Sequence, residues 1–163
     1  MQNNMVALDD LALAVIGHVE WVSFLAVDHI PQQGLISHGH SFKELPAGGG
    51  AVAAVQMAKL TNRKVHFFTA LGKDSIGEKC CETLGSLGLE MHVAWRDKPT
   101  RKGFSFVGDN GERAITVVGE RIQPMLNDVL PWEILKYLDG VFITAADGKT
   151  IQQARQARIV CAT

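Results

Sequence analysis

Hydrophobic residues along this chain fall into short runs that alternate with helical stretches. Apolar, β-branched and aromatic runs predict buried strands over Leu11–Ile16, Lys64–Leu71 and Gly140–Thr144. The run Pro46–Leu60 passes from glycines into strong helix formers, and Ile76–Leu87 follows a capping Asp or Ser, so both segments predict helices. Strands and helices that alternate in this way indicate an α/β domain.

Alternation of apolar and polar positions marks further strands. Leu35–Leu45 predicts a strand at an exposed edge. Strands are also predicted over His92–Trp95, Gly103–Val107 and Ala114–Val118, and the last two are joined by the turn Asp109-Asn110-Gly111. The pattern leaves open whether these strands form a sheet of their own or extend the central one.

The C-terminal part of the chain continues the alternation of helix and strand. A helix is predicted to begin near Pro131, and Lys149–Ala157 has a second helical pattern. Arg158–Thr163 has the composition of a parallel strand, without the connection that should follow it. We therefore expect residues 1–163 to be the N-terminal portion of a longer, C-terminally truncated domain.

The composition is that of a globular unit and limits the kinds of partner that the chain can bind. The 163 residues are 47% hydrophobic, and their net charge is −1 with basic residues scattered singly. A nucleic-acid surface needs clustered Lys and Arg, so we expect no nucleic-acid partner. The longest apolar stretch is too short to span a bilayer and no signal peptide is evident, so we expect no membrane partner and a cytoplasmic location.

The cysteines and histidines show no metal-binding or disulfide pattern. Cys80 and Cys81 are adjacent on a predicted helix and point in different directions, and with Cys161 the count is odd, which suits a reducing compartment. We interpret all three as small buried hydrophobic residues, with a metal or redox role as the alternative. No pair of histidines has the helical i, i+4 spacing, so no metal-binding residue is predicted. The alternative is that His38 and His40 bind a metal on an edge strand, although a solvated hairpin is favoured there.

The junction Gly48-Gly49-Gly50 is the strongest candidate site. Glycines let the backbone approach a ligand closely, and the helix that follows offers unpaired N–H groups and the positive end of its dipole. A polar or anionic small molecule could bind there. The alternative is an ordinary helix start without a ligand.

Five short motifs, in order along the chain, carry a resemblance to a known family. The chain resembles the N-terminal part of the ribokinase-like, or PfkB, carbohydrate kinases. The motifs are Ile16-Gly17, Gly48-Gly49-Gly50, Gly72-Lys73-Asp74-Ser75-Ile76-Gly77, Pro99-Thr100 and Gly111-Glu112-Arg113.

The resemblance implies a ribokinase-like fold, that is, a three-layer, Rossmann-like α/β sheet with a small β-lid. The lid strands are expected within about 20–45 and 92–118. A monomer would leave uncovered one apolar lid face with Phe104, Phe106, Ile115 and Val117, and pairing of lids implies a homodimer. The complete enzyme is expected to use ATP and Mg²⁺ to phosphorylate a hydroxyl of a sugar or nucleoside. The resemblance implies that this chain is its substrate-binding part and is inactive alone, with neither ATP nor Mg²⁺ expected bound to it.

The resemblance also guides the choice of site residues. Glu20 and Gly48–Gly50 are the predicted substrate-binding residues, because a carboxylate can accept two hydrogen bonds from a diol. Val22 and Ala53 stand where many relatives have a polar Asp and Asn. For Glu20 the alternative is an exposed residue at a strand end.

The charged residues of the predicted lid have mainly structural interpretations. Arg113 is interpreted as a hairpin residue whose charge is solvated or paired with Glu112 or Glu120. The alternative is that the lid brings Arg101 or Arg113 toward an anionic substrate.

No catalytic residue is predicted, because the Gly-Ala-Gly-Asp motif that supplies the family's catalytic base is absent. The alternative function is a non-catalytic, kinase-derived module for small-molecule binding or dimerisation. A dinucleotide-binding domain is disfavoured because Gly48-Gly49-Gly50 lacks the Gly-x-Gly-x-x-Gly pattern.

Overall fold

The computed structural model describes residues 11–163, and its helices and strands follow the predicted order. The expectation about a signal peptide concerns residues that lie outside this range. The strands are β1 (Leu13–Ile16), β2 (Glu20–Val27), β3 (Gly39–Ala47), β4 (Val65–Gly72), β5 (Leu89–Arg96), β6 (Lys102–Gly108), β7 (Arg113–Val118), β8 (Gly140–Ile143) and β9 (Ile159–Ala162). The helices are α1 (Gly49–Thr61), α2 (Ser75–Ser86), a 3₁₀ helix (Trp132–Tyr137) and α3 (Gly148–Ala154).

A parallel five-stranded sheet forms the middle layer, in the order β5-β4-β1-β8-β9. One face packs on α1 and α2 through a core that includes Val15, Phe67 and Leu84. The other face packs under the 3₁₀ helix and α3 through a second core that includes Phe68 and Trp132. The predicted three-layer α/β architecture is therefore confirmed.

The strand order places a crevice at the end of β1. After β1 the chain adds β4 and β5 on one side of it, and later adds β8 and β9 on the other side. In open parallel sheets, ligands bind outside the carboxyl ends of the strands where the order reverses in this way. Residues that follow β1 therefore lie at the favoured position for a site.

A second sheet, here called the lid sheet, has the order β3-β2-β6-β7. The region 92–118, predicted to hold lid strands, divides between the two sheets. β6 and β7 join the lid sheet, whereas β5 pairs with β4 in parallel at the edge of the central sheet. For residues 92–96 the lid prediction is thus corrected, because β5 follows α2 directly and packs Leu89 into the core. The other lid region, predicted to end at 45, extends to Ala47.

The register of the lid sheet separates its apolar residues onto two faces. Phe104 pairs with Thr116, and Ser105 pairs with Ile115. Since neighbouring residues of a strand point to opposite faces, Phe104 and Phe106 lie on one face and Ile115 and Val117 on the other. The alternation within each strand predicted a single apolar face with all four, and the pairing register corrects it.

No helix within residues 11–163 is both long and apolar enough to cross a membrane.

Candidate functional site

The end of β1 meets the start of α1 at a contact between glycines. A Cβ atom on Gly17 would lie 2.7 Å from the Gly50 Cα atom, and a Cβ atom on Gly50 would lie 2.8 Å from the Gly17 carbonyl carbon. At such distances from backbone atoms the backbone must shift, so any larger residue displaces α1. The glycine contact therefore holds the N-terminus of α1 at the crevice beside β1.

The N-terminus of α1 is open to a ligand. Its N-cap residue, Gly48, has a φ of 91° and gives no side-chain cap, and no acidic residue occupies the first turn. Gly49 is exposed, and a Cβ atom there would find its nearest neighbour at 3.6 Å. The first N–H groups of this 13-residue helix and its positive dipole end are thus not neutralised by an acidic group of the helix.

Glu20 lies beside this helix start, in a charged cluster with His18 and Arg101. Arg101 Nη1 lies 3.2 Å from Glu20 Oε1, and His18 Nε2 lies 3.6 Å from the same oxygen. The side chains of His18, Glu20 and Arg101 are only 10%, 12% and 13% exposed, respectively. Glu20 is therefore not the exposed strand-end residue that the alternative interpretation required. A Cβ atom on Gly48 would lie 3.2 Å from the Glu20 backbone nitrogen, so the predicted site residues are neighbours.

Three buried polar atoms at this place have no hydrogen-bond partner among the described residues. They are His18 Nδ1, Arg101 Nε and Thr144 Oγ1. Thr144 directly follows β8, and its hydroxyl lies against Gly17. Each unsatisfied buried polar atom costs about 1–3 kcal/mol, and polar ligands can supply the missing partners. The grouping of three such atoms therefore indicates a binding site for a polar molecule.

The protonation state of His18 follows from its surroundings. Burial lowers the pKa of His18 below the usual value for histidine, and the nearby Arg121 and Arg101 lower it further, against the opposing effect of Glu20. The imidazole is therefore neutral at neutral pH. A neutral imidazole presents one donor and one acceptor nitrogen, which suits the hydroxyl groups of a ligand.

The apolar residues at the two expected polar positions have packing roles. Val22 is only 6% exposed and contacts Gly103 of the neighbouring lid strand, at 3.1 Å from the Cβ position of that glycine. Ala53 is partly buried against the core under α1. His18, Glu20 and Arg101 supply the polar groups of the crevice instead.

Comparison with known proteins assigns the chain to a family. The profile described as pfkB family carbohydrate kinase matches residues 10–160. The chain belongs to this family. The predicted resemblance to PfkB kinases is therefore confirmed.

Two relatives of known structure and one curated relative illustrate the similarity. Ribokinase from Lactococcus lactis is 28% identical over 131 residues, which cover 76% of this chain and 42% of that enzyme. The ribokinase of Arabidopsis thaliana, solved with ribose and ATP, matches with a TM-score of 0.68 and 21% identity over 93% of this chain and 53% of its own. A PfkB protein from Polaromonas has a TM-score of 0.73 and 17% identity over 93% and 54%. The chain thus spans about half the length of these relatives.

Two of the motifs that carry the PfkB resemblance serve the fold. The Asp74 carboxylate caps α2 by accepting from Gly77 N at 2.7 Å, and it also accepts from Thr100 N and Thr100 Oγ1, each at 2.7 Å. Gly72 N in turn donates to Thr100 Oγ1 at 3.1 Å. The Gly-x-Asp-x-x-Gly and Pro-Thr motifs thereby join β4 and α2 to the segment that leads into Arg101.

The Gly-Glu-Arg motif of the PfkB resemblance lies in the exposed lid hairpin. Glu112 and Arg113 are both exposed, and Arg113 is the first residue of β7. The interpretation of Arg113 as a hairpin residue, solvated or paired with Glu112 or Glu120, fits its exposed position, and Glu120 pairs with Lys98. Of the two arginines expected to approach the substrate, Arg101 lies in the candidate site beside Glu20.

The cysteines occupy three different environments. Cys80 is fully buried in the core, and burial raises its pKa to about 12, so it behaves as the predicted small hydrophobic residue. Cys81 is partly buried. Cys161 on β9 is exposed, so the prediction that all three are buried is wrong for this residue.

Sequence reasoning chose Glu20 and the glycines as candidates and named Arg101 only as a residue that the lid could bring toward the substrate, and it missed His18 and Thr144. His18 directly follows the first-strand glycine of the family motif, and Arg101 directly follows the Pro-Thr motif. Thr144 follows a buried strand predicted correctly. Their position after motifs and strand ends is the signal that could have identified them.

Proposed function

We propose that this chain is the substrate-binding portion of a PfkB kinase that transfers the γ-phosphoryl group of ATP to a hydroxyl of a sugar or nucleoside. The observation that carries the proposal is the buried His18–Glu20–Arg101 cluster beside the open N-terminus of α1. Membership of the family supports the reaction class. The ribose and ATP in the Arabidopsis ribokinase structure support a sugar and this phosphoryl donor.

Each group in the crevice has a role suited to a polyhydroxy ligand. Glu20, beside Arg101, accepts hydrogen bonds from two neighbouring hydroxyls. The neutral His18 and Thr144 exchange hydrogen bonds with further hydroxyls, and the N–H of Gly49 donates to a ligand oxygen. Together these contacts hold a sugar in one orientation at the carboxyl end of β1, so that one hydroxyl is presented for phosphorylation.

We assign no site for the nucleotide or its metal to the described residues. Gly72-Lys73-Asp74 lacks the spacing of a P-loop, and both Asp74 oxygens are engaged by Thr100 and Gly77. ATP supplies the phosphoryl group and Mg²⁺ balances its charge when they bind. We propose no residue of this chain as a ligand to either, and none as the base that accepts the hydroxyl proton.

This function predicts that the chain binds sugars without phosphorylating them. In calorimetric titrations with a panel of pentoses, hexoses and nucleosides, at least one ligand should bind, and Glu20→Gln should weaken its binding about tenfold, or about 1.4 kcal/mol. Glu112→Gln, on the exposed hairpin, is the matched control and should leave affinity unchanged. ATP consumption coupled to the bound sugar should not exceed that of a mock purification.

Two results would contradict this assignment. Equal affinity of the parent chain and a folded Glu20→Gln variant would show that the cluster does not bind the ligand. Turnover of ATP by the purified chain would show that it holds the missing base. A protein extended beyond residue 163 that binds sugar without transferring phosphate would instead favour the non-catalytic module. The apolar residues Val22 and Ala53 support this alternative.

We also propose that two copies pair through their lid sheets. β3 and β7 are the edge strands of the lid sheet, and apolar side chains on both of its faces are exposed. Phe42 is 63% exposed on one face, and Ile115 is 54% exposed on the other. A second copy related by a two-fold axis would cover one of these faces and an open strand edge.

If two copies pair through their lid sheets, sedimentation should change with protein concentration. A charged substitution on the covered lid face should abolish that change. The parent chain should sediment as a dimer at micromolar concentration. Phe106→Asp disrupts the pairing if the face of Phe42 is covered, and Ile115→Asp disrupts it if the opposite face is covered. A monomer throughout, or a dimer that survives both substitutions, would rule out the lid interface.

A further inference from the structure

Two histidines and a glutamate meet on neighbouring strands, away from the sugar crevice. His66 of β4 is the register partner of Glu90 of β5, and His92 lies two residues further along β5. On parallel strands the directly paired residue and its diagonal neighbour share a face, so all three side chains project together. They lie towards the amino ends of β4 and β5, whereas the crevice lies beyond the carboxyl end of β1.

The distances among the three side chains suit one bound cation. His66 Nδ1 lies 3.0 Å from His92 Nε2 and 3.6 Å from Glu90 Oε2, and the three ligand atoms all lie within 4.8 Å of one another. Two ligands of a tetrahedral zinc ion, at its usual zinc–nitrogen distance, are separated by about 3.3 Å. His66 Nδ1 is therefore already near the separation that a zinc ion imposes from both His92 Nε2 and the Glu90 oxygen.

Packing fixes the orientation of the rings. The rings of His66 and His92 stack with centroids 5.3 Å apart and an interplanar angle of 18°. The His92 ring also packs on Phe68 at 4.5 Å, and Phe68 stacks on Trp132 at 5.0 Å. A ligand ring that is held in place loses little freedom when a metal binds.

The charge and exposure of the cluster also favour a cation. The cluster combines a carboxylate with two imidazole rings, which are the ligand types that a zinc-type cation prefers. The Glu90 side chain is 51% exposed and the His66 side chain 23% exposed, so the cation can enter from solvent and keep a water ligand.

We propose that His66, Glu90 and His92 form a binding site for a divalent transition metal of the zinc type, with His66 Nδ1, a Glu90 carboxylate oxygen and His92 Nε2 as the three protein ligands. Imidazole nitrogen suits zinc, copper and nickel, whereas Mg²⁺ prefers an all-oxygen shell. The bound ion ties β5, an edge strand, to β4. The site is separate from the proposed sugar crevice and from the Mg²⁺ of phosphoryl transfer, so its test does not depend on either.

The test is a calorimetric titration of the metal-free chain with zinc chloride. The titrated protein carries Cys161→Ser, which removes the exposed thiol as a competing ligand. One zinc ion should bind per chain, and the unfolding temperature should rise with zinc concentration. Loss of an outer-shell partner alone weakens metal binding by about 10–100-fold, so His92→Asn and Glu90→Gln should each raise the Kd at least about tenfold. A large excess of Mg²⁺ should not displace the zinc.

A matched control and a spectroscopic measurement make the result decisive. His40→Asn removes an exposed histidine that lies 3.8 Å from Asp109, and it should leave zinc affinity unchanged. Cobalt in place of zinc should give visible absorption typical of nitrogen and oxygen ligands, without a thiolate charge-transfer band. Absence of zinc binding, or equal affinity in the folded Glu90→Gln and His92→Asn variants, would overturn the proposal. A thiolate band would do the same by assigning the metal to cysteine.

Discussion

Asp74→Ala is expected to lower the free energy of unfolding by about 3 kcal/mol. The substitution removes the cap of α2, which is worth about 1 kcal/mol. It also leaves the buried N–H and hydroxyl of Thr100 without their acceptor, at about 1 kcal/mol or more each. Thr100 is only 3% exposed, so water cannot readily replace the carboxylate. Urea unfolding of the parent and variant chains, followed by circular dichroism, measures the loss.

A matched control distinguishes the loss of the Asp74 hydrogen bonds from the general effect of losing an aspartate. Asp97 forms an exposed ion pair with Lys73, and its side chain is 86% exposed. Asp97→Ala should therefore change the free energy of unfolding by no more than about 0.5 kcal/mol. If Asp74→Ala costs no more than Asp97→Ala, the Gly-x-Asp-x-x-Gly motif does not join α2 to the segment before Arg101.

Gly49→Val is expected to weaken sugar binding at least about tenfold, or about 1.4 kcal/mol, while the fold is kept. The position is exposed, and a Cβ atom there makes only ordinary contacts, the nearest at 3.6 Å. The branched side chain then covers the first N–H groups of α1 and fills the space beside His18. Calorimetric titration with the sugar identified from the panel measures the loss, and circular dichroism reports whether the fold is kept.

Two further substitutions test whether the effect of Gly49→Val comes from blocking the N-terminus of α1. Gly148→Val places the same side chain on the first residue of α3, where a Cβ atom meets nothing within 4 Å, and it should leave sugar affinity unchanged. Gly50→Val should instead destabilise the fold, because its Cβ atom would press on the Gly17 backbone at 2.8 Å. Unchanged affinity in folded Gly49→Val protein would mean that Gly49 serves only the start of the helix.

The local elements were largely predictable because their signals lie within short stretches of sequence. The β-branched and aromatic run at β4 predicted that strand within one residue at each end. Asp74 was correctly named as a possible cap of α2, since its side chain reaches an N–H three residues away. The glycines at 48–50 were found because the transition from glycine to helix formers is visible in the sequence itself.

Contacts between distant segments depended on the tertiary structure. The sequence does not say whether β5 pairs with β4 or with β6, because both are apolar strands with similar spacing, and only the sheet register assigns β5 to the central sheet. The same register separates Phe106 from Ile115, which alternation within each strand had placed on one face. The pairing of β5 with β4 joins separate segments, and the register of β6 with β7 is fixed by the turn between them, so alternation within one strand reports neither.

By itself the sequence determined the α/β class, the order of the elements, the family resemblance and the choice of Glu20 and the glycines as site residues. Only the tertiary structure placed Arg101 beside Glu20, because the two residues lie far apart in the sequence. It also brought His66 to Glu90 and His92, since metal-ligand spacing on two parallel strands depends on their register. The physical reason is the same in each case: local propensity acts over a few residues, whereas a site is assembled by chain segments that only packing brings together.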